Sequence, residues 1–252
     1  MSGTLFLVPN ALDFGVATEL PPLSDDLPMG VLRTAARLTH WVAENAKTTR
    51  AFLKRVDAEV RLSQPLQAIE IAELPRPQKG TKNPPSASDV ERLLSPALAG
   101  HDVGLISEAG LPAVADPGAL LVEAAHRRGI KVVALPGASS LMLALAASGL
   151  NGQSFAFVGY LPVEPSERTT RIRELETLSR RALQTQLLIE TPYRNEAMLE
   201  SLVTTLAPGT RLSVSCGLTL PQGWTRTDTV AGWRSSKPAV PRDVPAVFAL
   251  LA

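Results

Sequence analysis

Short runs of consecutive apolar residues alternate along this chain with longer stretches whose apolar positions recur every three or four residues. The runs Thr4–Val8, His40–Ala43, Gln67–Ile71, Val103–Ser107 and Ile130–Leu135 read as buried strands. Ser154–Val158, Thr185–Glu190, Leu212–Cys216, Thr227–Ala231 and Val244–Leu250 continue the series. Between them, Met29–Leu38, Thr48–Val56, Ser88–Leu98, Asp116–Arg128, Ser139–Ala147, Glu167–Ser179 and Asn195–Leu206 have helical spacing. Local chemistry marks some ends: Ser88 with Glu91 forms a capping box, and Asp116 followed by Pro117 suits a helix start that Gly129 would stop. The alternation predicts an α/β protein with largely parallel sheets, in two α/β domains spanning 1–114 and 115–252. Glu73–Pro85 carries four prolines and breaks the rhythm as a loop.

Composition narrows the classes. The chain has 252 residues, 45% of them hydrophobic and 19% charged, which is too apolar and too balanced for disorder. One cysteine, Cys216, excludes an internal disulfide framework, and three scattered histidines argue against a His-based metal site. The start lacks a basic region and a long apolar run, and no stretch approaches a membrane span, so the chain reads as cytoplasmic, with no membrane and no metal partner.

In open α/β sheets ligands sit beyond the carboxyl ends of the strands. After Val103–Ser107 comes Glu108, then a small-residue loop from Gly110 to Gly118 that a ligand could approach closely. The same pattern fits an ordinary strand–helix connection. After Ile130–Leu135 come Pro136-Gly137-Ala138-Ser139-Ser140, where free N–H groups at a helix start suit a carboxylate, or where Ser139 merely caps its helix. After Thr185–Glu190 come Thr191-Pro192-Tyr193-Arg194, a paired site or a structural Glu190–Arg194 ion pair. No two of the 17 glycines are separated by a single residue. The dinucleotide fingerprint and the kinase glycine loop are therefore missing, and with no G-x-S-x-G the hydrolase elbow is missing too.

Taken in order, VGLISEAGLPAVADPG (Val103–Gly118), VVALPGASS (Val132–Ser140) with LAASGL (Leu145–Leu150), FAFVGYLP (Phe155–Pro162) and LLIETPYRN (Leu187–Asn195) resemble the tetrapyrrole methylase superfamily of S-adenosylmethionine-dependent methyltransferases. Within it the likeness is closest to the branch that methylates small-subunit ribosomal RNA. The resemblance implies two α/β domains with the cofactor in the cleft between them, the N-terminal one on the substrate side. It also implies a homodimer, and methyl transfer to the ribose 2′-hydroxyl of a cytidine. By position, Gly110, Leu111, Val114, Ala115, Asp116, Ser139 and Ser140 would face the methionine part of the cofactor, Thr191, Pro192 and Thr229 would flank its adenosine, and Pro9 would lie in a loop beside it. Glu108 and Glu190 are the carboxylates at the right strand ends to take a proton or orient a group.

The N-terminal half departs from that branch. Leu7–Phe14 (LVPNALDF) stands where T-P-I-G-N-L is usual, Glu44–Arg50 (ENAKTTR) where E-D-T-R-x-T is usual, and Leu74–Asn83 lacks the H-E-H-N histidines. The net charge of +1 hides two acid-free basic stretches in this half. Lys47, Arg50, Lys54 and Arg55 form one; Arg76, Lys79 and Lys82 form the other. Lys47, Arg50, Arg76, Lys79 and Lys82 are candidate phosphate contacts, or else a solvated face and a basic loop. A small-molecule, tetrapyrrole-type methyltransferase remains an alternative, although its G-x-G-P-G start is absent. So does a cofactor-binding protein without catalysis, which the altered Glu44–Arg50 motif favours.

Overall fold

The computed structural model describes residues 2–12, 20–75, 86–236 and 238–252. The chain divides into two compact units, whose described parts are 2–12 with 20–138 and, second, 139–236 with 238–252. The boundary expected after residue 114 lies inside the first unit, because the strand that follows it still pairs with the chain's first strand.

The first unit holds β1 (Thr4–Leu7), α1 (Met29–Arg37), β2 (His40–Ala43), α2 (Ala46–Glu59), β3 (Glu70–Glu73), α3 (Ala87–Arg92), α4 (Ser95–Leu98), β4 (Val103–Ile106), α5 (Ala119–Arg127) and β5 (Lys131–Ala134). Its sheet has the order β3-β2-β4-β1-β5, and every pairing is parallel. Helices cover both faces, as a parallel sheet requires. Val31, Leu32, Trp41, Phe52, Leu53 and Ile106 pack on one side. Leu5, Val42, Val90, Leu105, Leu121 and Ala125 pack on the other. Residues alternate between the layers, so Trp41 and Val42 serve opposite cores, and the central β4 is buried throughout.

The second unit holds α6 (Ser140–Ser148), β6 (Phe155–Phe157), α7 (Pro165–Ala182), β7 (Thr185–Glu190), α8 (Asn195–Thr205), β8 (Arg211–Cys216), β9 (Trp224–Thr229), α9 (Val230–Ser235) and β10 (Ala246–Leu251). Its order is β6-β7-β10-β8-β9, and only β6–β7 is parallel. This departs from the expected largely parallel arrangement. The connection from β8 to β9 is too short for a crossover, so those strands form a hairpin, and β10 inserts antiparallel between β7 and β8. Alternate residues of β10 again serve two layers: Phe248 and Leu250 face α7 and α8, while Val247 and Ala249 join Leu141 and Leu145 of α6.

Several element ends differ from the sequence reading for identifiable reasons. The helix expected over Ser88–Leu98 is two, because Pro96 starts a new short helix rather than continuing the old one, and Ser86 is the cap, accepting from Asp89 N. The third strand is displaced to Glu70–Glu73 by a 3-10 turn at Leu66–Ala68. The helix expected from Asp116 begins at Ala119, after Gly118 at φ 133°. The strand expected over Thr227–Ala231 ends at Thr229, whose hydroxyl accepts from Gly232 N and starts α9. No helix among the described residues is long and apolar enough to cross a membrane.

One close approach sets the spacing of the first sheet. A Cβ on Gly104, in the middle of β4, would lie 2.7 Å from the Trp41 ring on neighbouring β2. That ring is 2% exposed and donates its indole N–H to Leu38 O at 3.2 Å, so it has nowhere to go. Gly104→Ala should lower unfolding stability by about 2–3 kcal/mol through overpacking, seen as a fall in denaturant midpoint at unchanged slope.

Candidate functional site

The carboxyl ends of β1, β2 and β4 lie side by side, and the residues just past them form the candidate site. Chain leaves β1 at Val8-Pro9-Asn10. Asn10 is 8% exposed and its amide donates to Ser107 O at 3.2 Å and Glu108 O at 2.9 Å. Its backbone exchanges hydrogen bonds with Gly110 in both directions, at 2.9 and 3.1 Å, and its Oδ1 accepts from Ala11 N. The start of the loop after β4 is thus tied to the end of β1. The loop after β5 closes from the other side: a Cβ on Gly137 would sit 2.3 Å from the Pro9 ring, so only glycine fits.

From this anchored start the loop runs through four left-handed positions, Gly110 at φ 65°, Ala113 at 66°, Ala115 at 65° and Gly118 at 133°. Two are alanines, which pay about 1 kcal/mol each for that conformation. Strain of this kind persists only where surrounding bonds hold it, and it gathers at functional sites.

Chain leaves β2 at Glu44 and Asn45. Glu44 N donates to Ile106 O at 3.1 Å, and Glu44 Oε2 accepts from Glu108 N at 3.1 Å. Asn45 caps α2, accepting from Lys47 N at 2.9 Å, while its amide donates to Glu108 Oε1 at 3.0 Å. Glu73, at the end of β3, accepts from Ala46 N at 2.8 Å. A cavity of about 590 Å³ opens here, with Glu44, Asn45, Glu108 and Asp116 on its polar wall. Leu74, Pro75, Val90, Leu120 and Leu121 form an apolar wall. Burial, helped by the neighbouring charges of Glu44 and Glu108, pushes the Asp116 carboxyl up to about 6, against the Ser107 hydroxyl that favours its charged form.

The second unit has its own cluster at the end of β7. The Glu190 side chain is 1% exposed, and its Oε2 lies 3.1 Å from Arg194 Nη2. Its Oε1 accepts from Thr191 N at 2.8 Å and from the Thr191 hydroxyl at 3.2 Å. Asn195, fully buried, donates to Val244 O at 2.9 Å. Two acceptors, Glu190 Oε2 and Asn195 Oδ1, are buried without a hydrogen-bond partner; the Arg194 approach is an ion pair without hydrogen-bond alignment. Ser139 precedes α6 but its side chain caps nothing.

The expected site residues therefore sort by environment. Glu108 opens onto the cavity, while Glu190 is enclosed and paired. Pro9, Gly110, Leu111, Val114, Ala115 and Asp116 share the tethered loop region of the first unit, and Ser139, Ser140, Thr191, Pro192 and Thr229 lie in the second. Lys47 and Arg50 are exposed on α2. Arg76, Lys79 and Lys82 lie outside the described residues. The sequence reading noted Asn10, Glu44 and Asn45 only as motif positions; the strand-end rule, applied to β1 and β2 as it was to β4, finds all three.

A two-domain α/β chain with one parallel and one mixed sheet, and its polar site past the strand ends, defines the class. The chain belongs to the family of Tetrapyrrole (Corrin/Porphyrin) Methylases, matched over residues 21–230. It is similar to Ribosomal RNA small subunit methyltransferase I of Halalkalibacterium halodurans, 29% identical over 81% of this chain and 61% of that protein. The protein of the same name from Xylella fastidiosa is 34% identical over 75% of this chain and 62% of its own length. The chain thus spans about three-fifths of the length of these curated relatives. In fold it resembles uroporphyrin-III-C-methyltransferase from Thermus thermophilus, with TM-score 0.53 and 20% identity over 100% of this chain and 93% of that one.

Two outcomes follow from the geometry. Asn10→Ala should cost about 2–3 kcal/mol by leaving buried carbonyls unpaired, and should raise hydrogen exchange at the Gly110 amide. Asp116 holds its proton more tightly folded than unfolded, so its contribution falls as pH rises from about 4 to 6 and is a full penalty above that. Asp116→Asn should gain about 1–2 kcal/mol at pH 8, after allowance for screening, and nothing at pH 4, in paired thermal melts.

Proposed function

We propose that the chain is an S-adenosylmethionine-dependent methyltransferase acting on RNA, at the ribose 2′-hydroxyl of a cytidine in small-subunit ribosomal RNA. The observation that carries this reading is the likeness to two proteins named as ribosomal RNA small subunit methyltransferases across 75–81% of this chain.

The residues present fit such a cofactor. Among the described residues, the N–H groups of Ala113 and Ala115 donate to no acceptor, which suits the carboxylate of an amino-acid-like ligand. Ser139 keeps its hydroxyl free of capping. In the second unit, Glu190 Oε2 is held by its ion pair with Arg194 at 3.1 Å, and Asn195 Oδ1 is buried without a hydrogen-bond partner. When bound, S-adenosylmethionine supplies a methyl group activated by a sulfonium for in-line displacement. The chain's share is alignment, which alone accounts for much of such a rate, and a place for the proton. Glu108 takes the proton of the attacking hydroxyl on its carboxylate. Asn45 orients that carboxylate through the bond to Oε1, and Asn10 holds the backbone from which it projects. Burial pushes the Asp116 carboxyl up to about 6, so it is still largely ionised at neutral pH.

A tetrapyrrole acceptor fits less well. Its carboxylates would meet Glu44, Glu108 and Asp116 in a cavity with no cation among the described residues of its lining.

Calorimetry with S-adenosylmethionine tests the cofactor, and radiolabelled methyl incorporation into small subunits from cells lacking the protein tests the acceptor. Glu108→Gln should lower methyl transfer about 100-fold while cofactor affinity stays within about threefold. Absence of binding heat at high protein concentration overturns the reading; binding without label in RNA favours the interaction protein.

A further inference from the structure

The cavity and helix α2 belong to one another, because Asn45 is at once a cavity wall and the cap of that helix. From the cap outward, α2 buries Thr49, Phe52, Leu53 and Val56 and leaves Lys47, Arg50 and Lys54 exposed. Steps of three and four residues put these three cations on one face. They run over about 10 Å of helix, the axial length of about three stacked phosphates. Among the described residues none of the three has a carboxylate partner, and the one side-chain bond of Arg50 there is to Ala46 O at 3.4 Å. Neighbouring acids are otherwise engaged: Asp57 pairs with Arg61, and Glu59 accepts from Leu23 N and Ser24 N.

The cavity has the complementary character. At about 590 Å³ it falls within the ~300–1,000 Å³ of small-ligand sites and has room for a nucleoside. Aliphatic side chains, Leu74, Val90 and Leu120 among them, offer flat apolar contact to a ring. Glu44, Glu108 and Asp116 offer acceptors, which suit an exocyclic amine and repel a carbonyl oxygen. A base inside a duplex cannot reach such a recess, so the ligand is a single strand with one base turned out of the stack.

We propose that the first unit grips single-stranded RNA, with one unstacked amino-bearing base, cytosine or adenine, in this cavity and the adjoining phosphates along Lys47, Arg50 and Lys54. This rests on the reading of the chain as an RNA methyltransferase, but its test does not use activity. The probes are fluorescein-labelled 15-mers of oligo(C), oligo(A) and oligo(U), titrated by anisotropy at several salt concentrations. The expected result is about 10-fold tighter binding of the C and A probes than of U. Leu120→Trp, a half-exposed wall position, should erase that preference and leave the salt slope alone. The triple variant K47Q/R50Q/K54Q should keep the preference and flatten the slope by about 2, at about 0.7 for each cation lost. Thermal melts confirm that each variant folds. Equal binding of the three probes by the wild-type chain, a preference that survives Leu120→Trp, or an unchanged slope in the triple variant each overturns the proposal. A wild-type chain that shows the expected RNA binding but takes up no S-adenosylmethionine leaves this grip standing and removes the methyltransferase reading instead.

Discussion

The candidate site depends on one side chain whose amide N–H groups are spent on carbonyls 97 and 98 residues away. Asn10 sits at the end of β1, yet it satisfies the carbonyls of Ser107 and Glu108 and pairs its backbone with Gly110. The loop that follows contains two left-handed alanines, a conformation an unconstrained chain would abandon. A short amide at this position converts the parallel pairing of β1 with β4 into a fixed starting point for that loop. Glutamine would carry the same groups on a longer, freer stem; aspartate would lack the donors and add a fourth charge beside Glu44, Glu108 and Asp116.

That last point shows how the electrostatics are kept in bounds. Three carboxylates line one cavity, and like charges this close repel unless something answers them. Part of the answer is fixed dipoles: Glu108 N faces Glu44, the Asn45 amide faces Glu108, and the positive end of α2 begins two residues after Glu44. Below about pH 6 the rest is proton uptake by Asp116, whose ionised form is penalised by burial. The positive side chains are spent elsewhere, on the outer face of α2. Acidic recess and basic stripe therefore meet at one helix and stay separate, and the net charge of +1, a balance over the whole chain, shows neither.

The strand positions were legible because each is a short apolar run with a punctuated end; β1, β2, β4 and β7 stand where the pattern puts them. What was not legible is set by contacts across the chain. The antiparallel insertion of β10 has no local signature, since a fully buried strand reads the same in either direction. Asp116 has the composition of a cap, yet the loop's tether to Asn10 and its left-handed turns delay the helix to Ala119, which frees the carboxylate for the cavity. Glu190 and Arg194 could be read as a site or as a pair; the fold encloses the Glu190 carboxylate and sets it 3.1 Å from the Arg194 guanidinium. The role of Asn45 was hidden for a simpler reason: measured against a familiar motif it looked like a lost acid, whereas in its own surroundings it is a cap and a donor.

That replacement is informative in itself. An aspartate at Asn45 could cap α2 equally well, because capping uses only the oxygen. It could not donate to Glu108, and it would bring a further negative charge to a wall that already holds three. With asparagine, Glu108 Oε1 is held while the residue still lines the cavity, the arrangement that the proposed transfer of a proton to Glu108 requires. At this position the amide supplies orientation to Glu108 where a second acid would have supplied repulsion.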